Sequence, residues 1–245
     1  MPAATTIGYA LVGGIAPALI WLYFLLKEDA KNPEPLPLIW LAFFAGMLAV
    51  PLVLPLESLA VAFLPSGTPA PGFPVVLAWA AAEETMKYVL AALFVLWRRS
   101  CDEPLDLVIY MITVALGFAA LENALFLVGP FSQGHLIAGL ATDNLRFVGS
   151  TLLHVVASST IGFWLAFSFR LPRVWRALVA ALSLVVAIAI HTAFNYLIVM
   201  QDSTHTLLAF FIVWSGAVVL FACFELLKYL EMHLRTWRTL PRSNE

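Results

Sequence analysis

Seven long apolar runs, at about 7–26, 37–63, 74–97, 105–129, 146–169, 174–199 and 207–230, leave almost no stretch of this chain suited to folding in water. Each is near the ~20 residues that an α-helix needs to cross ~30 Å of hydrocarbon. In hydrocarbon every backbone polar group must be satisfied internally, so runs of this length read as membrane-spanning helices. The links between them are short and hold no segment large enough for a soluble domain; "PSGTPAPG" (65–72) and "GPFSQGH" (129–135) are Pro/Gly turns. The expected fold is therefore all-α: a polytopic transmembrane helix bundle of about seven spans, with eight as the alternative count. The whole chain, 1–245, forms one integral membrane domain.

Composition agrees, with 62% of residues apolar and 11% charged, against roughly 45–50% and 25% in soluble domains. A formal charge of −2 argues against a nucleic-acid partner. Cys101 and Cys223 match neither a disulfide framework nor a zinc motif. The N-terminal run lacks the basic region that opens a secretory signal peptide and reads as a retained first span.

Lysine and arginine set an expected orientation. Lys27, Lys31, Arg98, Arg99, Arg170, Arg173, Arg176, Lys228, Arg235, Arg238 and Arg242, eleven of the thirteen basic residues, fall on one side of a seven-span arrangement. By the positive-inside rule that side is cytoplasmic, with the N-terminus outside and the C-terminus inside. The expected location is the plasma membrane. The two exceptions, Lys87 and Arg146, lie among the polar residues of the spans.

Those polar residues are the informative ones: Glu83, Glu84 and Lys87 in span three, Glu122 and Asn123 in span four, His154 in span five, and His191 with Asn195 in span six. At ~1.5 Å per residue, Glu83 lies roughly 14 Å, Glu122 about 10 Å, and His154 and His191 about 12 Å below the outer surface. Four helices thus bring carboxylates and imidazoles to one level. Ionisable groups inside spans are rare and normally face a bundle interior or an aqueous cavity. Glu83 and Lys87 are four apart and share a helix face, as do His191 and Asn195. Glu84 is turned ~100° from Glu83 and is expected to support the site from another direction. Glu57 reads as an outer-interface residue, and Glu225 as a partner of Lys228.

A carboxylate with two imidazoles can deprotonate a water and return the proton to a leaving amine, while an asparagine can stabilise a developing oxyanion. No G-x-S-x-G elbow is present, so a covalent serine mechanism is not favoured. H-E-x-x-H is absent too. The expectation is therefore water activation without a cofactor; a zinc-dependent version would draw its ligands from Glu83, Glu122, His154 and His191. A proton-coupled transporter remains the alternative, although the inner half of the spans is nearly bare of the polar groups that a relay needs.

In order, "EETMK" (83–87), "EPLDLVIYMITVALGFAALENALFL" (103–127), "RFVGSTLLHVVASSTIG" (146–162) and "HTAFNYL" (191–197) resemble the motif blocks of PrsW-type intramembrane proteases, distant relatives of the CAAX prenyl endopeptidases. The match covers a four-helix core, 74–199. The resemblance implies an intramembrane endopeptidase that cuts a single-span, membrane-anchored substrate, such as an anti-sigma factor, near its extracytoplasmic side. It further implies that Glu83 is the general base and that His154 helps hold the water. Glu84, Glu122 and His191 complete the polar site, and Asn195 is the oxyanion donor. Lys87 becomes an ion-pair partner orienting a glutamate, with Asn123 and Arg146 in support. The family has been labelled both metalloprotease and glutamic-type protease, and its resemblance leaves that choice open.

Overall fold

A computed structural model describes the backbone of residues 3–28, 33–65, 67, 70–134, 136–200 and 202–233, and the side chains of these except residues 3 and 136–148. Lys31, Arg235, Arg238, Arg242 and His135 lie outside the described residues, as does the side chain of Arg146.

Seven long helices account for the fold: α1 (Ala3–Glu28), α2 (Leu36–Phe63), α3 (Phe73–Ala91), α4 (Pro104–Ser132), α5 (Leu136–Phe167), α6 (Arg173–Val199) and α7 (Ser203–His233). Among the described residues six are long and apolar enough to span a membrane; α3 is the exception, because it carries Glu83, Glu84 and Lys87 mid-helix. A π-helical turn, Ala92–Leu96, extends α3 to nearly the length of its neighbours.

One boundary differs from the apolar runs, which stop at 129 and resume at 146: α4 runs to Ser132 and α5 begins at Leu136. The reversal is confined to a few residues around Gly134, whose φ of +79° suits glycine alone. Asp143, Asn144 and Arg146 depress the local hydropathy, but Leu136, Ile137, Leu140, Ala141 and Leu145 keep a helical spacing. A helix can continue past the point where its sequence stops resembling hydrocarbon.

Helix α4 is the axis of the bundle. From Pro104 to Ala120 every residue but Ile112 is buried, and α1, α2 and α5 pack directly on it. Close approach, rather than hydrophobic burial, drives such packing in lipid, so small residues stand at the crossings. Gly46 of α2 faces the carbonyl oxygen of Val114, and Gly117 of α4 faces that of Phe43; a Cβ at either position would come within 1.9 Å of that oxygen. Gly129, on the same α4, has nothing within 4 Å of such a Cβ. Gly117→Ala is therefore expected to cost about 1–3 kcal/mol through overpacking, whereas Gly129→Ala is neutral or stabilising by up to ~1 kcal/mol through helix propensity. Unfolding midpoints of the two variants in mixed micelles check this. The outer helices expose Phe211, Val218, Phe221 and Val174, as chains solvated by lipid tails do.

The helix ends are tied by polar contacts. Asp106 caps α4 by accepting from the backbone N–H groups of Asp102 (2.9 Å) and Glu103 (2.8 Å). The Tyr110 hydroxyl donates to Glu34, just before α2. Lys228 pairs with Glu225 at 2.9 Å as its spacing suggests, and also reaches Glu28 of α1 at 3.0 Å. Asp202 accepts from the Thr204 N–H and pairs with His205 at the start of α7, which holds its carboxyl below the usual range. Cys101 and Cys223 form no disulfide.

Candidate active site

Four helices converge on one polar centre. Helix α3 supplies Glu83, Glu84 and Lys87; α4 supplies Glu122 and Asn123; α5 supplies His154; α6 supplies His191. All but Glu122 are buried to within a few per cent.

Glu84 is the hub. Its Oε1 accepts from Lys87 Nζ at 2.5 Å and from His191 Nδ1 at 2.7 Å, and its Oε2 accepts from Ser158 Oγ at 2.8 Å. Three donors on one carboxylate favour its ionised form. The ammonium of Lys87 also donates to His154 Nδ1 at 2.9 Å and lies over the Phe118 ring, 4.4 Å from its centroid.

These contacts assign the imidazole tautomers. An ammonium can only donate, so His154 Nδ1 carries the lone pair and its Nε2–H points to Glu122 Oε2, 2.9 Å away. The ionised Glu84 can only accept, so the His191 proton is on Nδ1 and its Nε2 is a free acceptor. That nitrogen lies 3.7 Å from Glu83 Oε2. Glu83 Oε2 is buried, makes no hydrogen bond within the protein, and stands 4.0 Å from His154 Nδ1. A buried carboxylate oxygen without a partner calls for a donor within reach, and in the neutral ring His191 Nε2 is a second acceptor beside it.

Lys87 shares a helix face with Glu83 at i,i+4, yet the glutamate it pairs with is Glu84 at i,i+3. Glu84 meets the centre from its own direction: α3 is enclosed by neighbours over a wide arc, so a 100° turn still ends inside the bundle. Ser158 joins the site through Glu84 and is missing from the sequence reading, although it lies one turn after His154 on the same face. Thr151, three residues before His154, accepts from Asn123 Nδ2 at 3.0 Å and ties α5 to α4. Ser150 donates to Glu122 Oε2 at 3.2 Å. Asn195 lies one turn beyond His191, half-buried, and its side chain makes no hydrogen bond among the described residues.

Glu83, His154 and His191 each place one ligand-type atom within 4.8 Å of the others, the make-up of a two-histidine, one-carboxylate metal site. Glu122 is not part of that cluster. The donor chemistry does not fit as folded. One nitrogen of His154 is taken by the Lys87 ammonium and the other bears the proton given to Glu122. Ligation through His154 would also bring a dication up to an ammonium 2.9 Å from the ligand nitrogen.

Membrane-type helices around a buried, charge-paired cluster of glutamates and histidines define a class that holds intramembrane hydrolases and proton-relay proteins alike. The particular family is then shown by sequence: the family described as "PrsW family intramembrane metalloprotease" matches residues 34–226, and the chain belongs to it. It is similar to the protein named Protease PrsW of Bacillus subtilis (strain 168), 29% identical over 222 residues, which cover 83% of this chain and 90% of that one. It is also 31% identical over 152 residues to Protease PrsW of Geobacillus kaustophilus (strain HTA426), covering 62% of this chain and 63% of the relative. Protease PrsW of Clostridioides difficile (strain 630) is 24% identical over 189 residues, 76% and 78% of the two chains. No solved structure is a significant match.

Proposed function

We propose that this chain is an endopeptidase that hydrolyses a peptide bond of a single-span, membrane-anchored protein near its extracytoplasmic side, using water activated by Glu83 without a metal ion. The observation that carries this reading is the pair of facing acceptors, Glu83 Oε2 and His191 Nε2, 3.7 Å apart in an otherwise satisfied buried network. A water seated to one side of this pair donates to both and keeps a lone pair free for attack. His191, rather than His154, then shares the water with Glu83. Glu83 takes one proton as the water oxygen bonds to the scissile carbonyl carbon. Collapse of the tetrahedral adduct breaks the C–N bond, and Glu83 returns that proton to the leaving amine. Asn195, whose amide is uncommitted, is placed to donate to the oxyanion.

The other polar residues act by holding tautomers. The chain Glu122–His154–Lys87–Glu84–His191 alternates donor and acceptor at each step, which leaves His191 Nε2 unprotonated. The core 74–199 supplies this machinery. The positions of lysine and arginine favour a site in the outer half of a bacterial plasma membrane with the N-terminus outside, and an anti-sigma-factor-like protein is the substrate type that the family resemblance favours.

The test is cleavage of a co-reconstituted single-span substrate by purified protein in liposomes, before and after exhaustive chelation, with metal content measured on the active sample. Cleavage within about twofold of the untreated rate is expected after chelation. Stoichiometric zinc whose removal abolishes cleavage would overturn the metal-free mechanism.

A further inference from the structure

Of the charged and imidazole groups at the centre, only Glu122 is accessible. Its side chain is 22% exposed, whereas Glu83, Glu84, Lys87, His154 and His191 are buried to within a few per cent. A peptide that reaches Glu83 and His191 therefore passes Glu122, and the surface around Glu122 defines the entrance.

That surface lies where α2 and α4 part. The two helices run parallel: Glu34, just before α2, meets Tyr110, Gly46 lies against Val114, and Val50 shares a buried cluster with Phe118. Residues seven and eleven apart stay on one helix face, so the touching stripes can be followed beyond that cluster. Two turns on, Val50 is succeeded by the half-buried Glu57, and Phe118 by Leu125, 47% exposed. Three turns on, Val61 is 49% exposed, and a Cβ at Gly129 would meet nothing within 4 Å. Faces in contact at Val50 and Phe118 are thus apart at Val61 and Gly129. Helix α2 is held to α3 instead, where the Trp79 indole N–H donates to the Glu57 carbonyl at 3.1 Å. Pro51 and Pro55 lie at the point of parting, and proline is a usual cause of a helix bend. Two other seams are closed. Phe73 of α3 meets Tyr196 of α6 edge-on, ring centroids 5.4 Å apart, and Leu153 of α5 is buried with Phe194 of α6.

We propose that the cleft between the C-terminal halves of α2 and α4 is the substrate entrance. It receives one apolar transmembrane helix from the side and passes the peptide bond beyond the end of that helix over Glu122 to Glu83. The inference rests on the reading of the centre as a peptidase. Its occupant follows from an aliphatic rim, Val61 and Leu125, that is continuous with a polar base at Glu122. The rim suits the flank of a span. The base suits unwound backbone, whose free N–H and C=O groups are tolerated at membrane depth only inside protein or a polar cavity. A lipid tail matches the rim but not the base.

The probe is a biotinylated synthetic peptide with one Leu/Ala span of about 20 residues and an extended outer segment. It is reconstituted in liposomes with purified protein carrying a photoreactive benzophenone side chain at position 61, 125 or 129, or at the lipid-facing controls 174 and 211. Crosslinks to the peptide are expected at the first three positions and not at the controls. Val61→Trp and Gly129→Trp narrow the cleft without touching the polar centre. Both are expected to raise KM for the peptide about tenfold with kcat unchanged, the mark of lost docking. Their unfolding midpoints should stay near wild type, because both positions are open. Equal crosslinking at the controls, adducts with phospholipid or a second copy alone, or wild-type KM in both tryptophan variants would each overturn the proposal. Peptide crosslinks confined to 61, 125 and 129 in a protein that cleaves no substrate would support the cleft and count against the peptidase reading instead.

Discussion

Glu83→Gln is expected to lower the cleavage rate by roughly 10²–10⁴-fold, the range of a lost general base, while leaving the helix content and unfolding midpoint near wild type. Its Oε2 makes no hydrogen bond within the protein, so the amide breaks no contact at that atom and loses only the ability to take a proton. Glu84→Gln should behave differently. That carboxylate accepts from Lys87, His191 and Ser158, so neutralising it disturbs stability as well as rate. Adjacent residues with separable phenotypes, one in kcat alone and one in both, are the signature expected of base and hub. A well-folded Glu83→Gln protein that cleaves at the wild-type rate would remove Glu83 from the mechanism.

The second large effect is on stability. Lys87 is fully buried, and Lys87→Met would leave the Glu84 carboxylate in the bundle without its cation and His154 Nδ1 without its donor. Breaking a buried ion pair from one side costs about 3–5 kcal/mol, because the remaining charge is uncompensated. The double variant Lys87→Met/Glu84→Gln should recover part of that loss, since no orphaned charge remains. Reversible unfolding in mixed micelles measures both. Equal stability of Lys87→Met and wild type would mean that the pair is replaceable by water and that the tautomer chain described above is not held by it.

The sequence by itself determined the class of the fold and the content of the site. Long apolar runs leave the backbone no option in lipid but helices, so the helix count and most boundaries follow from hydropathy; the exception, α5, begins at Leu136 because helical spacing persists where hydropathy fails. Helical rise alone put Glu83, Glu122, His154 and His191 at one depth, and the structure brings these four together. The sequence could not say who bonds to whom. A carboxylate reaches partners over a wide arc, and whether Lys87 chose Glu83 or Glu84 depended on where α5 and α6 placed His154 and His191. The same holds for Ser158, which joins the site through a contact 74 positions away in the chain. Spacing along one helix is a local property, legible from residue numbers. The partners of Glu84, the tautomer of His154 and the approach of His191 to Glu83 are set by distances between helices, which only the packed bundle decides.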